Sequence, residues 1–320
     1  MPELFDALPG QEVPVGGIAE GFKKLWEDSP AKESRAVQLN LVLHLGRNSA
    51  PDDAQARFQD TLRFAQRYPC RVVVLCPDYR EAAGAEMRAK IYGECFLGKS
   101  KNDTRCVEFV LLHYTMPVRA YLENQVSVCL STDMPLYYWA HRFAEARRLA
   151  DYGYLLTRSK RILFDGATAP PETFNYPWPN LSAVRDLAYT RTLPLRQNLG
   201  QFLSRYAPAA IVGGLKSVTL RHRTNFGAEA NSLLGWVRKG LTRCGADLAT
   251  IGFAVTPEQC TGCLELNFVY ADPGRQFLWR SDLEKNEATF TGNLGGGRST
   301  LTVGASLLSA EMTLAEAMFF

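Results

Sequence analysis

Residues 37–46 read VQLNLVLHLG and residues 51–69 read PDDAQARFQDTLRFAQRYP. The first is apolar at nearly every position, which predicts a strand covered on both faces rather than one. The second has Pro51 at its start, acids in its first turn and Phe58, Leu62, Phe64 and Ala65 on one side, the pattern of an amphipathic helix. CRVVVLCPD (70–78) follows as a second buried strand. Strand, helix and strand in that order predict a parallel sheet with helices on its faces.

The same grammar continues outward. EMRAKIYGECF and TRCVEFVLLHY, joined by the polar turn LGKSKND, read as a hairpin inserted into the sheet. VRAYLENQVSVCLST is an expected helix, MPLYYWA (134–140) a strand, RFAEARRLADYGYLL a helix and RILFDG (161–166) a strand. GATAPPETFNYPWPN (166–180), with its four prolines, reads as a linker. Beyond it a helical segment from Leu181 to about Tyr206 is expected to break before Pro194. A strand (KSVTLRHR), a helix (AEANSLLGWVRKGLT), several consecutive strands and a closing helix complete the chain. The expected organisation is an α/β domain over 1–166 with an N-terminal helical extension, a Pro-rich linker over 167–180, and an α+β domain over 181–320. The first has a mostly parallel sheet with helices on both faces, the second an antiparallel sheet with packed helices.

With 320 residues there is room for two cores, and 36 basic against 33 acidic side chains give too small a bias for nucleic acid or an anionic membrane as main partner. No run approaches the length of a transmembrane span, and the first residues, MPELFDALPGQEVPVGG, lack the pattern of a signal peptide. A cytoplasmic location with its eight cysteines reduced is the expectation.

Motifs that suggest chemistry are each incomplete. GNLGGGRST (292–300) has P-loop glycine spacing but Arg298 where the lysine belongs, and β-like residues where a helix should open, so a hairpin turn is expected. CTGC (260–263) stands alone, without the second ligand pair a structural zinc needs; Cys260 and Cys263 remain candidate redox thiols. The junction HLGRNSAPDD (44–53) lies beyond the carboxyl end of a strand, where open α/β sheets bind ligands. Arg47, Asn48 and Ser49 are therefore candidate contacts for a phosphate or carboxylate. The histidines at 44, 113, 141 and 222 are scattered and no catalytic constellation assembles, so no metal and no cofactor are expected.

Several blocks together resemble the OpcA family of glucose-6-phosphate dehydrogenase assembly proteins: YPCRVVVLCPD, RCVEFVLLHYT, DMPLYYWAH, RILFDG, DLAYTRTLPLRQ (186–197) and NSLLGWVRKGL, in family order, with a similar terminal LLSAEMTLAEA. The resemblance covers roughly residues 35–320. It implies a non-catalytic partner that binds glucose-6-phosphate dehydrogenase and promotes its active oligomer. The chain departs from the family pattern where Trp139 is followed by Ala140 rather than a second tryptophan, and where Tyr189 replaces a tryptophan. Trp139, Asp186, Tyr189, Arg191 and Trp236 are the candidate structural or partner-binding residues. Asp186 is expected in a half-buried ion-pair corner joining the two domains, with Arg191 or Arg196 covering carbonyls freed by the break before Pro194. The alternatives are a small-molecule binder or enzyme using the crevice at Arg47 and Ser49, and a thiol redox sensor. Homo-oligomerisation is left open.

Overall fold

A computed structural model describes residues 4–27, 37–80, 84–97, 104–258 and 262–320. The chain forms two compact units. Unit 1 runs to Leu187 and recovers Ala310–Phe320 from the far end of the chain; unit 2 is Ala188–Ser309.

Unit 1 contains β1 (Gln11–Val13), β2 (Leu39–Leu45), β3 (Cys70–Asp78), β4 (Met87–Leu97), β5 (Thr104–Thr115), β6 (Leu136–His141), β7 (Arg161–Phe164) and β8 (Val184–Asp186). They form one sheet in the order β1-β4-β5-β3-β2-β6-β7-β8, parallel from β5 to β8 and antiparallel from β1 to β5. The expected hairpin insertion is the β4–β5 pair. Every residue of β2 is buried because alternate side chains enter different cores. Leu39, Leu41, Leu43 and Leu45 share one core with Phe58, Leu62 and Ala65 of α3 (Pro51–Arg67) and Leu314 and Met318 of the terminal Ala310–Phe319 helix. Val42 shares the other with Phe22 of α2 (Ile18–Glu27), Val126 of α4 (Leu122–Cys129) and Leu155 of α5 (Gly153–Arg158). Phe58, Phe64 and Phe109 are fully buried. Each contributes roughly 1.5–3 kcal/mol relative to an exposed ring. A short helix, α1 (Leu4–Ala7), precedes β1.

Three expectations for this unit are corrected. The Pro-rich segment is no linker: Phe174 and Trp178 pack on Phe164, Trp178 Nε1 donates to the Thr173 carbonyl, and the chain continues into β8 alongside β7. Its aromatic residues, not its prolines, decide its placement. The helix expected over 142–156 is instead a 3₁₀ stretch, Ala146–Tyr152, followed by α5. Its buried residues, Ala146, Leu149 and Tyr152, recur every third position, which suits three residues per turn. Nor are all the thiols free. Cys95 and Cys106 lie directly opposite in the β4–β5 ladder, their Cα atoms 4.0 Å apart, and form a disulfide.

Unit 2 opens with the rest of α6 (Leu187–Arg191), then α7 (Leu193–Leu203), α8 (Pro208–Val212) and α9 (Gly227–Arg243). Its strands are β9 (Leu215–His222), β10 (Gly252–Pro257), β11 (Leu264–Tyr270), β12 (Gln276–Asp282), β13 (Glu287–Asn293) and β14 (Ser299–Gly304). The sheet order is β10-β9-β11-β12-β13-β14, antiparallel except for the parallel β10–β9 edge. Here burial alternates, as in β13, because one face packs under α7 and α9. The glycine-rich stretch is the β13–β14 turn, with Gly295 and Gly297 at φ +107° and +94°. The terminal helix, labelled α10, belongs to unit 1.

Candidate functional site

The order β3-β2-β6 makes the gap between β2 and β6 the point where the chain reverses its direction across the sheet. Ligands of open α/β sheets bind at such points. Here the chain's own atoms fill it. Gly46 lies so close to the loop after β6 that a Cβ would stand 2.4 Å from the Arg142 carbonyl oxygen. The Asn48 N–H donates to that carbonyl and the Ser49 N–H to Gly46, so neither is turned toward a ligand. The anion at this position is Asp53, in the first turn of α3, which accepts from His141 Nε2 at 2.6 Å and pairs with Arg142 at 3.1 Å. Burial by itself would raise the Asp53 carboxyl, but the His141 bond and the Arg142 and Arg57 charges outweigh it and hold the pKa below the usual carboxylate range.

Arg47 and Ser49 turn to the other side of β2. They line a cavity of about 270 Å³ with Asp78, Tyr79, Arg80 and His113. The Arg47 guanidinium lies 5.8 Å from the Tyr79 ring centre, and the buried Ser49 Oγ has no hydrogen-bond partner among the described residues. Asp78 is held ionised by Arg80, whose hydrogen bond is the largest influence on it. Burial pushes the Cys76 thiol up to about 12, so it is no nucleophile near neutral pH. Of the three expected anion contacts, the structure brings Arg47 and Ser49 together and leaves Asn48 outside this cavity.

Sequence reasoning missed a polar network in the core of unit 1. His44 is fully buried, with Nδ1 2.9 Å from Tyr138 Oη and Nε2 2.9 Å from Tyr114 Oη; Tyr114 in turn is 2.8 Å from Tyr152 Oη. A neutral imidazole donates at one nitrogen and accepts at the other, so both tyrosines are satisfied. Burial pushes the His44 pKa down to about 3. Alternation along β2, β5 and β6 could have flagged the set, since all three face the same core. The His222 ring nitrogen Nδ1 is 2.7 Å from the Arg223 carbonyl.

The remaining candidates fall in separate places. Trp139 is 2% exposed, in the core of unit 1, and offers no surface to a partner. Asp186, at the end of β8, accepts from the Gly166 N–H at 2.8 Å, a bond inside unit 1. Arg191 pairs with Glu229 at 2.6 Å, and Arg196 covers the Tyr189 carbonyl, both within unit 2. Trp236 lines an apolar groove on unit 2. Cys263 is buried, while Cys260 lies outside the described residues. Among the described residues no three His, Cys, Asp or Glu side chains are grouped to hold a metal, and no helix is long and apolar enough to cross a membrane.

Residues 62–183 match the model of the family described as "Glucose-6-phosphate dehydrogenase subunit N-terminal domain". They run from within α3 to the residue before β8, most of the unit 1 sheet. The chain is also 24% identical over 260 residues to "Putative OxPP cycle protein OpcA" of Synechocystis sp., covering 75% of this chain and 52% of that protein. It thus spans about half the length of the relative it matches. Family match and relative agree with the blocks read from the sequence, and the resemblance of this chain to the OpcA family is shown.

Proposed function

We propose that the protein is a cytoplasmic, non-catalytic partner of glucose-6-phosphate dehydrogenase that promotes the enzyme's active oligomer. One observation carries the reading: in the unit 1 sheet, most of whose strands lie in the matched residues, buried ionisable groups are spent on holding the fold. His44 is neutral and held between two tyrosines, His141 and Arg142 are bound to Asp53, and Glu108 accepts from Trp26 and pairs with Arg71. A hydrolase or transferase needs an acid, base or nucleophile left poised beside a pocket. A domain organised in this way, in a family named for a dehydrogenase subunit, suits a protein that acts through its surface.

The test is kinetic. The purified chain is added in increasing amounts to glucose-6-phosphate dehydrogenase from the same organism while glucose 6-phosphate is titrated. The expected result is a saturable fall in KM or rise in kcat at a fixed molar ratio. Kinetic constants that stay unchanged at excess chain overturn the reading.

A second reading rests on the Arg47 cavity, where the unpartnered Ser49 Oγ and the Arg47 guanidinium favour a small anion. Inorganic phosphate that binds the wild type but not Arg47→Ala, in calorimetry, supports it; equal heats from both contradict it.

A further inference from the structure

On unit 2, α7 and α9 leave a groove of about 380 Å³ between them, within the range of small-molecule sites. Its floor includes Phe268 of β11 and Ile211 of α8; Trp236 and Leu241 of α9 and Leu203 of α7 form the walls. Along α9 and the residue after it the lining runs from Trp236 to Cys244, eight steps or about 12 Å. Two of the lining positions are glycines inside helices, Gly200 and Gly240. Glycine there costs about 1 kcal/mol against alanine. What these two provide is space: a Cβ at Gly240 would meet nothing within 4 Å, and one at Gly200 would just touch Trp236 at 3.9 Å.

The two helical segments that line the groove carry one sign of charge. Residues 193–212 and 230–246, which contribute nearly all of the lining, include no aspartate or glutamate. They do contain Arg205, Lys239 and Arg243, all exposed. Lys239 and Arg243 are three residues on from Trp236 and Gly240, so they stand beside the lining stripe. Arg205 lies between Ser204 and Tyr206, which both line the groove. An apolar trough with Arg205, Lys239 and Arg243 beside its lining favours a guest with an apolar body and a single negative end.

We infer that the α7–α9 groove is a binding site for a small amphipathic anion, an alkyl or aryl carboxylate whose hydrocarbon lies along Trp236 and whose carboxylate meets the Arg205, Lys239 and Arg243 rim. The site is independent of the dehydrogenase reading, which rests on unit 1. Its length suits a medium-chain acid, and Cys244 at one end of the lining is a thiol that occupancy would shield.

The experiment uses the full chain and decanoate as probe, below micelle-forming concentration, with decylammonium as the charge-reversed control. Calorimetry gives affinity, and mass spectrometry follows iodoacetamide labelling of Cys244. Decanoate is expected to bind and slow Cys244 labelling several-fold, with decylammonium at least ten-fold weaker. Gly240→Leu, which fills the open space, should weaken decanoate at least ten-fold without lowering the melting temperature, and Lys239→Glu with Arg243→Glu should weaken it several-fold. If Gly240→Leu fails to fold, Gly200→Met replaces it. Three results overturn the site: no protection of Cys244, equal affinity for decylammonium, or undiminished binding to the filled groove. An acidic helical peptide that protects Cys244 where decanoate does not would also overturn it, in favour of a protein-docking surface.

Discussion

Arg196 sits over the ring of Tyr189, 3.8 Å from its centre, and donates from the same guanidinium to the Tyr189 hydroxyl at 2.7 Å and carbonyl at 3.3 Å. Thr192 Oγ1 donates to that carbonyl as well, at 2.7 Å. The chain needs these donors here because α6 stops and α7 restarts around Leu193 and Pro194, and proline supplies no N–H to continue the ladder. Arg196 is thus a clamp on a helix break.

The clamp predicts coupling between its two halves. Tyr189 is 38% exposed, so the cation–π contact belongs at the weak end of its range, about 0.5–1 kcal/mol. Urea unfolding of Tyr189→Ala, Arg196→Ala and the double variant should show a coupling energy of that size. Strict additivity would mean that the two side chains do not act together.

His44 gives a pH dependence with a definite sign. Its folded pKa of about 3 lies below its ordinary value of 6.5, so below pH 6.5 the unfolded chain takes up a proton that the folded chain refuses. Stability from this group is complete above pH 6.5 and falls as pH drops toward 3, by about 1.4 kcal/mol per unit. Between pH 6 and 5 the wild type should therefore lose stability more steeply than His44→Gln, which keeps a donor and an acceptor but does not titrate. Parallel curves for the two proteins would refute the assignment.

Arg191 and Glu229 form a deeply set ion pair in unit 2, with Glu229 4% exposed. Removing the arginine leaves the carboxylate without its main cation, so Arg191→Ala should cost about 3 kcal/mol, near the low end for a broken buried pair because Arg191 keeps some solvent. Adding Glu229→Gln should recover part of the loss, since a neutral amide is cheaper to bury. A loss under about 1 kcal/mol would put the pair among ordinary surface pairs.

The Cys95–Cys106 bridge predicts a thiol count. Denatured without reductant, the chain should present six alkylatable cysteines, and after reduction all eight. Eight without reductant, in aerobically purified protein, would contradict the bridge.

The strands of unit 1 were legible because full burial on both faces writes itself as unbroken Val and Leu, as in β2 and β3. The hairpin β4–β5 was legible too, yet its disulfide was not read, because facing residues follow only from the register. Counting inward from the turn LGKSKND sets Cys95 opposite Arg105; only the true register, with Leu97 opposite Thr104, pairs it with Cys106. Proline misled once: within 167–180 it marked irregular backbone but hid the packing of Phe174 and Trp178. The helix expected from Leu181 hid β8, a strand of three residues, while its break before Pro194 was read correctly. The candidate anion site was half legible: spacing put Arg47, Asn48 and Ser49 after β2, but nothing in their types showed that Asp53, His141 and Arg142 would occupy the switch point. Those three come from the start of a helix and the end of a strand some ninety residues apart, a closure visible only in three dimensions.

The central claim is a physical association, and sedimentation velocity of the purified chain mixed with glucose-6-phosphate dehydrogenase from the same organism tests it most directly. Absorbance and a fluorescent label on the 320-residue chain follow the two proteins separately. The account predicts that the labelled chain leaves its own boundary and co-sediments with the enzyme in a faster species whose share saturates with added chain. Two boundaries that keep their separate rates at every mixing ratio, with the enzyme active and both proteins folded, would contradict it.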